Sequence, residues 1–110
     1  MPVPEAEVRR LALAFPGAVE GSHGNHPDFR RDNRIFASLP RPNEMVIKLT
    51  PEQQMVLCDG EPAVFMAVPN IWGQRGWTAA RLPEASADAV QHALHLAWSN
   101  LAPQPKTRKV

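Results

Sequence analysis

Apolar residues recur at helical spacing near both ends of the chain and at strand spacing between them. Val8, Leu11, Ala12 and Phe15 follow at i, i+3, i+4 and i+7, which puts them on one buried stripe of a helix. Pro4 suits the first turn of that helix, where its missing N–H costs nothing, and Pro16-Gly17 ends it. Val90, Ala93, Leu94, Ala97, Trp98 and Leu101 repeat the pattern behind Ser86. Ser86 is a capping residue, and Pro103 and Pro105 terminate this last helix.

The middle of the chain reads as strands. Residues 17–27 hold Gly17, Gly21, Gly24 and Pro27 among polar residues and read as a loop. Phe29-Arg30-Arg31 and Arg34 to Leu39 then flank Asp32-Asn33, a pair that tolerates the positive φ of a tight hairpin. Pro40 to Asn43 is a second turn, leading into Met45 to Leu49. Thr50, Pro51 and Gln53 form a capping-box start for a short helix that Asp59-Gly60 stops. Ala63 to Val68 is a fourth strand, Pro69 to Arg75 a loop, and Gly76 to Leu82 a fifth strand. The order α-β-β-β-α-β-β-α predicts an α+β two-layer sandwich, a five-stranded antiparallel sheet with helices packed on one face. Residues 1–110 form one domain, ordered over about 4–103 and followed by a basic tail over 104–110.

Composition narrows the class. With 44% hydrophobic and 21% charged residues the chain is globular, and no apolar run approaches the ~18 residues of a membrane span. The N-terminus lacks the basic and apolar regions of a secretory signal, and the single cysteine, Cys58, cannot close an internal disulfide. Both point to the cytoplasm. The net charge is +1, but three of the twelve basic residues, Lys106, Arg108 and Lys109, lie in the last five positions. The body therefore carries nine basic against eleven acidic side chains, so binding to phosphates requires a local patch.

Such a patch is readable on the strands. Period-two alternation sets Ile35, Ala37 and Leu39 against Arg34, Phe36 and Ser38, and Met45, Ile47 and Leu49 against Val46 and Lys48. In the fifth strand Trp77, Ala79 and Arg81 oppose Thr78, Ala80 and Leu82. An open face carrying Arg34, Phe36, Lys48, Trp77 and Arg81, with Arg30, Arg31 and Arg41 on nearby turns, combines cations with ring faces. Surfaces of that kind bind nucleic acid. The alternative is that Arg merely covers a solvated sheet face.

Other constellations carry less. His23 and His26, and His92 with His95 one helical turn apart, lack a Cys or carboxylate set with zinc spacing, and Asp88 adds at most a third weak ligand. No metal or other cofactor is expected. Cys58 ends the short helix beside Asp59, where the helix dipole disfavours a thiolate. Gly73-Gln74-Arg75-Gly76 has no phosphate-loop pattern and reads as a turn. No residue set amounts to a catalytic signature, and the chain is expected not to be an enzyme.

Several of these segments together resemble the MmcQ/YjbR family of small bacterial proteins. The likeness runs through Phe15-Pro16-Gly17-Ala18, His26-Pro27-Asp28-Phe29, Phe36-Ala37 and Ile47-Lys48-Leu49-Thr50-Pro51-Glu52, then Gly76-Trp77-Thr78 and Ala97-Trp98-Ser99. It covers about residues 4 to 103. The resemblance implies a fold similar to frataxin-like and secretion-chaperone-like α+β sandwiches, and a DNA-binding role. On this reading Arg30, Arg31, Arg34, Lys48 and Arg81 contact phosphates while Phe36 or Trp77 stacks or wedges. The alternative is a module for a protein or small ligand, using the Trp72/Trp77 loop and the cleft between sheet and helices. A third reading is a homodimer whose open sheet face is covered by its twin.

Overall fold

Two amphipathic helices, α1 over Glu5–Leu13 and α4 over Ala87–Ser99, lie side by side across one face of an antiparallel sheet. The computed structural model describes residues 2–102, so the basic tail and the prolines expected to end α4 fall outside the described residues. Val8, Leu11 and Ala12 of α1 are buried, as are Val90, Ala93, Leu94 and Ala97 of α4. Ser86 caps α4 by accepting from the Ala89 N–H at 3.1 Å.

The sheet has six strands, not five. In chain order they are β1 (Ala18–His23), β2 (His26–Arg31), β3 (Arg34–Arg41), β4 (Glu44–Lys48), β5 (Phe65–Ala67) and β6 (Trp77–Arg81). Their spatial order is β1-β2-β3-β4-β6-β5. Strand β1 occupies the stretch expected to be a loop. Its glycine and polar residues lie on an edge strand, where half the side chains meet solvent, so composition alone conceals it. Gly24 and Asn25 turn β1 into β2 with φ of +54° and +67°, and Asp32-Asn33 repeats the device with +52° and +69°. Both are two-residue hairpin turns of the type that follows the strands' own twist.

Helix α2 (Pro51–Gly60) links β4 to β5 and carries the expected capping box, with Thr50 and Gln53 exchanging backbone and side-chain bonds. Gln54 of α2 reaches from there to the Gly73 carbonyl at 3.0 Å and to the Trp77 carbonyl and Thr78 hydroxyl at 3.1 Å. A short helix, α3 (Ile71–Gln74), lies within the expected Pro69–Arg75 loop. The core fills between sheet and helices with Phe29, Phe36, Leu39, Met45, Ile47, Leu49, Phe65 and Leu82, all buried.

Strand β3 is irregular against both neighbours, and the irregularity against β2 decides where Arg34 and Phe36 point. Phe29 pairs with Ala37, but Arg30 pairs with Ile35, so β3 holds an extra residue, Phe36, at a β-bulge. Alternation resets there. Phe36 and Ala37 both turn to the core with no exposure, Ile35 swings to the open face, and Arg34 goes to the helix side. The expected placement of Phe36 and Arg34 on the open face is therefore corrected.

Candidate ligand site on the open sheet face

The face opposite α1 and α4 is not flat. It forms an open trough of about 520 Å³, bounded by Ile35, Ser38, Pro40 and Arg41 of β3 and by Glu44 and Val46 of β4. Trp77 and Ala79 of β6, Met66 to Pro69 at β5, Trp72 of α3 and His23 at the β1 turn complete its lining. That volume lies in the range of small-molecule sites. The lining is mostly apolar, yet Trp72 and Met66 are each about half exposed, at 52% and 48%. Large apolar side chains left open in a concavity are a reason to look for a ligand.

Backbone constraints hold the aromatic end in place. Asn70 sits at φ +73° and accepts from the Trp72 N–H at 3.0 Å. A Cβ on Gly73 would fall 1.8 Å from the Val68 carbonyl oxygen, and one on Gly76 1.8 Å from that of Leu49. Only glycine fits at either position, so the α3 turn packs directly onto the ends of β4 and β5. Trp72 and Trp77 are presented to the trough from this turn. Arg75 stacks over Trp72 with its Cζ 5.6 Å from the ring centroid, and Lys48 Nζ stands 6.0 Å over Trp77.

At the other end a buried carboxylate organises a polar group. Asp28 is fully buried and accepts from Arg30 Nε at 2.7 Å and Nη2 at 3.1 Å. Its Oδ2 also lies 2.7 Å from His23 Nδ1. The Arg30 hydrogen bonds hold the Asp28 carboxyl below its ordinary value of 3.8, against the opposing effect of burial, and the His23 contact adds to the lowering. Gly21 makes this possible, since a Cβ there would meet Arg30 Nε and Asp28 Oδ1 at 3.0 Å. A buried carboxylate of this kind requires full pairing, which Asp28 has.

The residues expected to form a nucleic-acid surface separate. Lys48, Trp77 and Arg81 share the open face, as alternation requires of β4 and β6. Arg30 is there too, committed to Asp28. Arg31 and Arg34 lie on the helix side: Arg31 donates to the Trp98 carbonyl at 3.0 Å with its Cζ 3.9 Å above that ring, and Arg34 donates to the Leu101 carbonyl at 3.3 Å. Phe36 is in the core. Trp72 and Trp77 do line a cleft, but it lies on the face opposite the helices and not between sheet and helices.

The sequence names His23 and Asp28 but not their meeting, because glycines and polar residues over 17–27 read as a loop and conceal β1. The available signal was Gly24-Asn25 between His23 and His26, a hairpin dipeptide that places His23 and Asp28 on adjacent strands. Among the described residues no three His, Cys, Asp or Glu side chains gather as a metal site. Cys58 is half-buried, and desolvation, with Asp59 beside it, pushes its thiol upward. None of the described helices is long and apolar enough to cross a membrane.

Comparison with known proteins places this geometry in a family. The solved structure of a Deinococcus radiodurans protein, assigned to the DUF419 domain, superposes with a TM-score of 0.76 over 94% of this chain and 82% of that one. At 15% identity the likeness is one of fold. No curated protein matches the sequence. The YjbR family model matches residues 13–100, from the end of α1 to the cap that follows α4, and the chain belongs to the YjbR family.

Proposed function

We propose that this chain is a binding module, without a reaction of its own, whose open sheet face takes an aromatic or apolar ligand in the trough between Trp72 and Trp77. The observation that carries this is the trough itself: about 520 Å³, mostly apolar in lining, with a half-exposed tryptophan held on a glycine-constrained turn. Rigid aromatic surface in a concavity binds flat ligands at little entropic cost. Titration with the neutral fluorophore N-phenyl-1-naphthylamine tests it. The wild-type protein should enhance its emission saturably, and Trp72→Ala should abolish the enhancement while leaving the thermal midpoint in place. Equal enhancement by both proteins would remove the trough as the site.

A second reading is nucleic-acid binding on the same face, favoured by Lys48, Arg75 and Arg81, none of which forms a salt bridge among the described residues. With Trp72 and Trp77 they combine cations with stacking surfaces. Fluorescence anisotropy of labelled single-stranded and duplex DNA at ~50 and ~200 mM salt separates the two readings, because phosphate contacts weaken steeply with salt. Charge reversal at Lys48 and Arg81 should then weaken binding, whereas reversal at Arg31 and Arg34 should not.

A further inference from the structure

Three polar residues are buried among the described residues: Asp28, Ser38 and Thr78. Two of them find their hydrogen bonds within the protein. Asp28 is paired with Arg30 and His23, and the Thr78 hydroxyl donates to the Gly76 carbonyl at 2.9 Å and accepts from Gln54 at 3.1 Å. The Ser38 hydroxyl has no hydrogen-bond partner among the described residues, although Ser38 is only 9% exposed. A buried hydroxyl left without a partner costs free energy, and a ligand that supplies the bond recovers it.

Strand register puts Ser38 on the floor of the trough. Asp28 pairs with Ser38, Ser38 with Val46, Val46 with Ala79, and Ala79 with Met66. One row of side chains therefore crosses the open face from β2 to β5. Its middle members, Ser38, Val46 and Ala79, are small, and all three line the trough. Trp77 lies two strands across from Ser38 and two residues along, roughly 12 Å between Cα atoms. The charged side chains of the lining cancel, because Glu44 accepts from Arg41 at 2.6 Å. His23 Nδ1 is engaged by Asp28, which leaves the neutral ring only an acceptor, Nε2.

We propose that the trough takes a neutral hydroxylated aromatic, its ring system against Trp72 and Trp77 over Val46 and Ala79, and its hydroxyl hydrogen-bonded to Ser38 Oγ. This rests on the trough reading above and adds to it the polarity of the ligand and the residue that reads it. A hydroxyl suits the position because Ser38 Oγ both donates and accepts. A neutral ligand suits the lining because neither of its charges is unpaired. An apolar ligand of the same shape gains from the tryptophans alone and seals Ser38 off without a partner, and sites built to hydrogen-bond a hydroxyl discriminate against such analogues.

Two compounds of matched shape separate the inference from the reading beneath it: 2-naphthol, and 2-methylnaphthalene, in which a methyl group replaces the hydroxyl. Calorimetric titration of the protein into each gives a ratio of affinities, and comparing that ratio between proteins cancels the difference in hydrophobicity of the two compounds. Ser38→Ala gives up no hydrogen bond of the folded chain and should keep the wild-type thermal midpoint. It should lower the naphthol-to-methylnaphthalene ratio by about five- to tenfold, the worth of one neutral hydrogen bond. Trp72→Ala should weaken both compounds and keep the ratio. A ratio that Ser38→Ala leaves unchanged would overturn the hydroxyl site while leaving the trough, as would wild-type binding of N-phenyl-1-naphthylamine but of neither compound. Failure of all three to bind the wild-type protein would overturn both proposals.

Discussion

Asp28 and Gly76 show how single positions control this face. Asp28 is an anion with no solvent contact, stable because Arg30 and His23 supply its hydrogen bonds. Its carboxyl titrates below the ordinary 3.8 in the folded chain, so below that value the unfolded chain binds more protons than the folded one. Stability from this group is present in full above about pH 4 and is lost as pH falls through the lower folded value. Urea unfolding from pH 6 down to pH 2 should show that loss in the wild type. Asp28→Asn should be less stable at pH 6 by roughly 1.5–3 kcal/mol, the range for hydrogen bonds to charged groups, with a flatter acid limb. Gly76 sits at φ +108° with the Leu49 carbonyl where a Cβ would be. Gly76→Ala should destabilise by more than about 2 kcal/mol, visible as a fall in thermal midpoint of roughly 10 °C or more.

At the scale of elements, the bulge in β3 determines which residues are available to a ligand. With strict alternation Phe36 would be a surface ring on the open face, and truncating it would cost little. With the bulge it is a core residue, and Phe36→Ala should destabilise by about 3–5 kcal/mol, measured by chemical denaturation. The helices were far more legible than the bulge. The i, i+3, i+4 stripes of α1 and α4, the Thr50–Gln53 capping box and the Ser86 cap are local signals, each contained within one turn of chain. Strand β6 was legible in the same way, because unbroken alternation survives when a strand pairs regularly on both sides, and β4 keeps its alternation because the extra residue in its pairing with β3 lies in β3. Strand β1 was not, because an edge strand with glycine at its centre lacks a buried apolar face to announce it. The four residues of α3 lie below the length at which periodicity is a signal at all.

For the whole molecule, five strands and the α3 turn together bound the trough, and no local stretch of sequence contains it. Its lining comes from β1, β3, β4, β5, β6 and the α3 turn, spanning His23 to Ala79. Trp72→Ala should leave the unfolding free energy within about 0.5 kcal/mol of wild type, as surface substitutions do, and yet eliminate binding of an aromatic probe. Stability and binding are separable there because the helix-side core, from Val8 to Ala97, is complete without Trp72. The sequence by itself determined the α+β class, both long helices, the Thr50 and Ser86 caps, the outward row of Lys48, Trp77 and Arg81, and the family likeness. These follow from periodicity and local hydrogen-bonding chemistry, which act within a few residues. Only the tertiary structure decided the sixth strand, the burial of Phe36, the turning of Arg31 and Arg34 onto α4, and the meeting of His23, Asp28 and Arg30. Each of these depends on strand register and on a one-residue bulge, and a shift of one residue exchanges the two faces of a sheet.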